Sequence, residues 1–161
     1  MTNLNLDDKK TILRKIPSGL YIVTGMDDNV PSAAVVSFLT QSSIDPPLIT
    51  MALREGSAIY HTVKKTKKCA IHFPAKDQQS LVASFFKIKT KDSKTINKHE
   101  YEIGEKGNPL LKNIPMILEV DVREESTIGD HHVFICEVAD TILRSDEDAL
   151  LMMHTNWKYG G

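Results

Sequence analysis

This chain has little of what nucleotide- and metal-binding proteins most often use. Its 161 residues include 2 cysteines, 1 tryptophan and 8 glycines. Cys69 and Cys136 lie in separate apolar runs without CxxC spacing. They read as buried free thiols of a reducing compartment, not as a disulfide or metal pair. His61, His72 and His132 show no three-ligand spacing, so no metal is expected. Gly104 and Gly107 do not make GxGxxG, and there is no P-loop. Charge of one sign is also missing: 20 Lys and Arg stand against 21 Asp and Glu, a net charge of −1. No global field therefore draws the protein to nucleic acid or a membrane surface. No run approaches the ~20 apolar residues of a membrane span. The first ten residues contain no apolar signal core, so a cytoplasmic location is expected.

What is present fits one soluble domain over residues 1–161, with 41% hydrophobic and 25% charged residues. Residues 7–16 suit a short opening helix, acidic first and basic later, ended by Pro17-Ser18-Gly19. Strands are expected at 20–24, 30–38, 48–53 and 69–73 from their β-branched and aromatic content. Residues 57–64 and 77–86 read as helices. Residues 117–123 alternate with period two. Gly129-Asp130 then turns the chain into a further run at 132–139, continued to Arg144, and 150–154 adds a last short strand. Residues 87–108 are polar, lysine-rich and without period, longer than a usual connection. Strands without regular crossover helices exclude a doubly wound parallel sheet and indicate a mainly β, antiparallel barrel.

The stretch from Ser32 to Leu48 carries the most chemistry. An apolar run enters the hydroxyls of Ser37, Thr40, Ser42 and Ser43 and stops at Asp45-Pro46-Pro47. Proline fixes φ and lacks a donor, so the chain turns or runs along an edge there. Hydroxyls beside such a turn either cap the chain and face water or hold an anionic or heterocyclic ligand. Ser57, before a helix, fits an N-cap and a phosphate site equally well by position. Lysines cluster at 64–68 and 87–98, as a solvated surface or as a docking patch for an acidic partner.

Four blocks in order resemble the flavin reductase-like family of FMN-binding split-barrel proteins: Gly19–Thr24, Ser37–Leu48 with its Asp-Pro-Pro, Arg54-Glu55-Gly56-Ser57, and Gly129-Asp130-His131 before a β run. The resemblance spans about Ile16 to Arg144 and departs from the family pattern in the lysine-rich segment and beyond His154. It implies a six- to seven-stranded antiparallel split β-barrel of Greek-key type with a few short flanking helices, forming a homodimer.

The same resemblance implies site roles. Backbone groups of Val36, Ser37, Phe38 and Leu39 would meet the polar edge of FMN, and Thr40, Ser42 and Ser43 would line its ribityl and phosphate path. Arg54 and Ser57 would hold the phosphate. Phe86 and Lys87, beside Phe85, would form the outer wall, although core packing explains the phenylalanines equally well. His131 would face the flavin or nicotinamide and orient the hydride donor, with Asp130 fixing its tautomer. The implied activity is that of an NAD(P)H-dependent flavin reductase, with NADH or NADPH as co-substrate and reduced flavin passed to an acceptor. A flavoredoxin-like carrier exchanging electrons with a partner protein is the alternative, and a flavin-storage or sensing protein a third reading.

Overall fold

A computed structural model describes residues 3–161. Helix α1 (Leu6–Leu13) starts where the Asn5 side chain accepts hydrogen bonds from the Asp7 and Asp8 N–H groups. It stops short of the expected Ile16 and buries none of its side chains. Strands β1 (Tyr21–Asp27) and β2 (Val30–Val36) form a hairpin. Its two-residue turn is Asp28-Asn29, both at positive φ, which matches the twist of the flanking strands. Then come β3 (Leu39–Ser43), β4 (Leu48–Arg54), helix α2 (Ala58–Thr66), β5 (Lys68–Phe73) and helix α3 (Gln79–Ser84). The chain continues through β6 (Thr95–Ile96), β7 (His99–Ile103), β8 (Pro109–Leu111), β9 (Met116–Ser126) and β10 (His131–Leu143).

Seven strands form one antiparallel sheet in the order β2-β1-β5-β9-β10-β4-β3. Strands β2 and β3 are its opposite edges, yet only Ser37 and Phe38 separate them in the chain. Three virtual bonds reach at most about 11 Å, so the sheet curls until its edges face each other at that end. Among the described residues no ladder joins β2 to β3.

Both faces of the sheet are covered around β1 and β5, which read as nearly continuous buried runs. Val23, Ile71, Phe134, Cys69 and Cys136 pack with Ile59, Tyr60 and Val63 of α2 on one face. Ile22 and Ala33 pack with Val82, Phe85, Ile96 and Tyr101 on the other. Burial pushes the Cys69 thiol well up and that of Cys136 to about 12.

Several expectations need correction. Residues 87–108 are not structureless: β6 and β7 turn at Asn97-Lys98 and pair onward with β8 in a second small sheet. Ile96 and Tyr101 are buried there, while Asp92 accepts from the Lys94 and Thr95 N–H groups in a local turn. The hydroxyl cluster after Phe38 is a strand, β3, and β10 runs unbroken through both expected runs to Leu143. The last short strand is instead a single bridge, Leu151 to Gly19, followed by one 3-10 turn at Met152–His154.

His72 joins the two sheets. Its Nδ1–H donates to the Ile22 carbonyl at 2.9 Å, and its Nε2 accepts from the Leu111 N–H at 2.9 Å. The ring is fully buried and is held neutral, its pKa lowered to about 3 chiefly by burial. The unfolded chain binds this proton from about pH 6.5 downward and the folded chain does not, so stability falls with pH in that window. Replacing His72 by Gln, which keeps a donor and an acceptor, removes the titration. The urea-unfolding free energy lost between pH 7 and pH 5 should then be about 2 kcal/mol smaller in H72Q than in the parent.

Candidate functional site

A cavity of about 420 Å³ opens where the curled sheet's edges approach. Its walls come from β2 and the Ser37-Phe38 crossing, from the end of β4 with the start of α2, from the residues after α3, and from residues 152–159. The volume lies within the range of small-molecule sites, and the lining is apolar with a few polar groups.

Antiparallel pairing explains how distant residues meet here. In the β10–β4 ladder Phe134 faces Met51, His132 faces Leu53 and His131 faces Arg54. The Glu55 N–H extends the pairing by donating to the Asp130 carbonyl. Gly56 (φ +79°) and Gly129 (φ +94°) make the turns that end it on either side. Ser57 then caps α2: its Oγ accepts from the Tyr60 N–H at 3.2 Å. The first N–H groups of α2 have no intrahelical partner and lie at the positive end of the helix, and the exposed Arg54, three residues before Ser57, lines the same cavity.

His131 is held from two sides. Its Nδ1 lies 2.9 Å from Asp130 Oδ1, and its Nε2 lies 2.7 Å from the Tyr159 hydroxyl. The hydrogen bond from His131 keeps the Asp130 carboxyl below its ordinary value. The Phe38 ring stands 5.2 Å from the imidazole in an edge-on arrangement.

Of the residues expected at a site, Val36, Ser37, Phe38, Arg54, Ser57, Phe86 and His131 surround this one cavity. Leu39, Thr40, Ser42 and Ser43 lie on β3, which leads away along β4, and Lys87 is exposed beyond the rim. Phe85 is buried in the core and also reaches the cavity wall, whereas Phe86 is 55% exposed and packs edge-on against Trp157 at 4.6 Å. Trp157 and Tyr159, outside the expected site, also line the cavity.

Behind the cavity His132 joins a second polar chain. Lys64 Nζ donates to the Tyr60 hydroxyl at 3.0 Å, so that hydroxyl donates onward to His132 Nδ1 at 2.9 Å. His132 therefore carries its proton on Nε2, which lies 3.8 Å from Glu55 Oε2. Glu125 pairs with Lys64 at 3.3 Å, and the Tyr60 hydrogen bond together with this pair raises the Lys64 pKa.

Residues 13–161 match the family described as Flavin reductase like domain. The chain is 24% identical over 148 residues to an NADH:FMN oxidoreductase of Rhodococcus erythropolis, covering 92% of this chain and 76% of that protein. Its fold superposes on the Streptomyces globisporus NADH:FAD oxidoreductase SgcE6 with TM-score 0.79 at 19% identity, covering 94% of this chain and 92% of that one. It superposes equally well on BorF, the flavin reductase component of a bacterial two-component tryptophan halogenase. There the TM-score is 0.78 at 21% identity, with 91% and 92% covered. These two likenesses show the shared fold. Among the described residues no helix is long and apolar enough to cross a membrane, and no cluster of His, Cys, Asp or Glu is arranged to hold a metal.

Tyr60→Phe leaves the buried Nδ1 of His132 without its donor. An unsatisfied buried acceptor costs about 1–3 kcal/mol, and chemical denaturation of Y60F should read a loss of stability of that size.

Proposed function

Because this chain belongs to the flavin reductase-like domain family, we propose that it is an NAD(P)H-dependent flavin oxidoreductase. It takes a hydride from reduced nicotinamide to FMN and releases reducing equivalents to an acceptor. The observation that carries the reading is the β10–β4 register, which sets His131 beside Arg54 on the wall of one cavity. The curled sheet with its two-residue crossing suits a split β-barrel.

The residues present fit a flavin nucleotide. The chain leaves the β2 ladder at Ser37-Phe38, offering backbone groups toward a polar ring edge. Val35, Leu53 and Ile59 give the cavity apolar walls that exclude water. Arg54 and the start of α2 hold a terminal phosphate by a charge-assisted hydrogen bond and the helix end. One arginine at one helix start suits the single phosphate of FMN better than the diphosphate of FAD. When bound, the flavin supplies the ring that accepts the hydride. His131, fixed by Asp130, orients the nicotinamide, and holding both reactants in line is the protein's main contribution. A second copy of the chain completes the assembly in this reading, covering the apolar Leu6, Ile12 and Leu13 that α1 exposes.

One observation favours the carrier reading: Lys87, Lys89, Lys91 and Lys94 are all exposed along one segment beside the cavity, a patch suited to an acidic redox partner. Anaerobic mixing of the FMN-loaded protein with NADH and then NADPH separates the two. Rapid loss of the flavin's visible absorbance is expected with at least one donor. Flavin that binds but is bleached by neither would transfer the assignment to the carrier. Arg54→Ala should weaken FMN binding by about 10- to 100-fold, the worth of one charge-assisted hydrogen bond, while riboflavin, which lacks the phosphate, binds as before in a fluorescence titration.

A further inference from the structure

Residues 155–161 follow the last 3-10 turn without helix or strand and run along the cavity mouth. They are fastened at several points. The Trp157 N–H donates to Thr155 Oγ1 at 3.0 Å, and the Trp157 ring packs edge-on against Phe86. The Tyr159 ring stands 5.4 Å from that of Phe38 and 5.8 Å from the His131 imidazole. Arg14 Nε donates to the Gly160 carbonyl at 3.0 Å, tying the segment to the end of α1.

An ionised Asp130 carboxylate only accepts, so the imidazole Nδ1 carries the proton it shares with Asp130. An Nε2 without a proton is then an acceptor, and the Tyr159 hydroxyl 2.7 Å away is placed to be its donor. Two hydrogen bonds on opposite ring nitrogens, with the Phe38 edge beside them, leave the imidazole one orientation.

We propose that Tyr159 is a positioning residue for hydride transfer. It locks His131 in the Nδ1–H tautomer, and its ring, with that of Trp157, forms the outer wall of the cofactor cavity. This inference rests on the flavin oxidoreductase reading above. It assigns the covering of the cavity mouth to the segment 155–161, whereas the lysine-rich segment contributes Ile88 to the wall. The imidazole needs this second anchor because its first, Asp130, is itself exposed and leaves the ring free to pivot about one hydrogen bond. A small misplacement of a group that aligns two reacting rings lowers the rate without lowering affinity for the flavin.

The test uses the full chain loaded with FMN, as the parent and as Y159F and Y159A. Stopped-flow reduction by the better donor gives KM and the limiting rate, a titration gives flavin affinity, and 15N spectra of the histidines report the His131 tautomer. Y159F should bind FMN within about twofold of the parent and reduce it about tenfold more slowly, the loss expected for one hydrogen bond. Its His131 nitrogen signals should move toward a tautomer mixture. Y159A should show the same change and in addition bind FMN several-fold more weakly, because the wall is gone. If Y159F matches the parent in limiting rate and in histidine spectrum, the proposal is overturned. A parent protein that neither binds nor reduces flavin defeats the functional reading instead. In that case the histidine spectra of the parent and Y159F still decide whether Tyr159 holds His131.

Discussion

Two residues carry the chain from one edge of the main sheet to the other, and most of the architecture answers to that short crossing. With β2 and β3 at opposite ends of a seven-stranded order, a flat sheet would need a connection many times longer than Ser37-Phe38. The strands must twist and curl until the edges meet. Right-handed strand twist supplies the tendency and burial of the inner face supplies the driving force. The seam where the edges approach without pairing is where the cavity opens. A cavity here is a by-product of incomplete closure, and the two residues of the crossing line it.

The second determinant is register. A slip of one residue between β4 and β10 would send Phe134 and Cys136 outward and move His131 away from Arg54. The core therefore enforces the geometry of the cavity: Met51, Leu53, Phe134 and Cys136 are fully buried on the same pair of strands that end in Arg54 and His131. Behind this ladder, the Lys64–Tyr60–His132 chain ties α2 to β10. The two neighbouring histidines thus serve opposite faces, one toward the cavity and one toward the helix, as strand alternation requires.

The legible part of the fold was the part governed by simple periods. Residues 117–123 alternate apolar and polar side chains and 132–139 are dense in β-branched and other apolar ones, and the structure pairs them within β9 and β10. The Asp-Pro-Pro and Gly-Asp-His blocks marked the right ends of the right strands. The lysine-rich segment misled because a two-residue strand and a five-residue strand bury only Ile96 and Tyr101, too few to set a period against many solvated lysines. Leu39 to Ser43 misled differently: hydroxyls at an exposed sheet edge look like a loop, since nothing covers their outer side. Trp157 and Tyr159 reach the cavity only through tertiary contacts with Phe86, Phe38 and His131, which no local pattern encodes.

Cys69 and Cys136 sit in the same apolar cluster at the centre of the sheet, on β5 and β10, both fully shielded. Thiolates, not thiols, react with alkylating and oxidising reagents, and neither sulfur gives up its proton near neutral pH. Their labelling therefore waits for the strands on either side of β9 to come apart. The chain carries its own clock for that opening: the rate at which a thiol reagent is consumed counts excursions of the sheet's middle, with no substitution introduced.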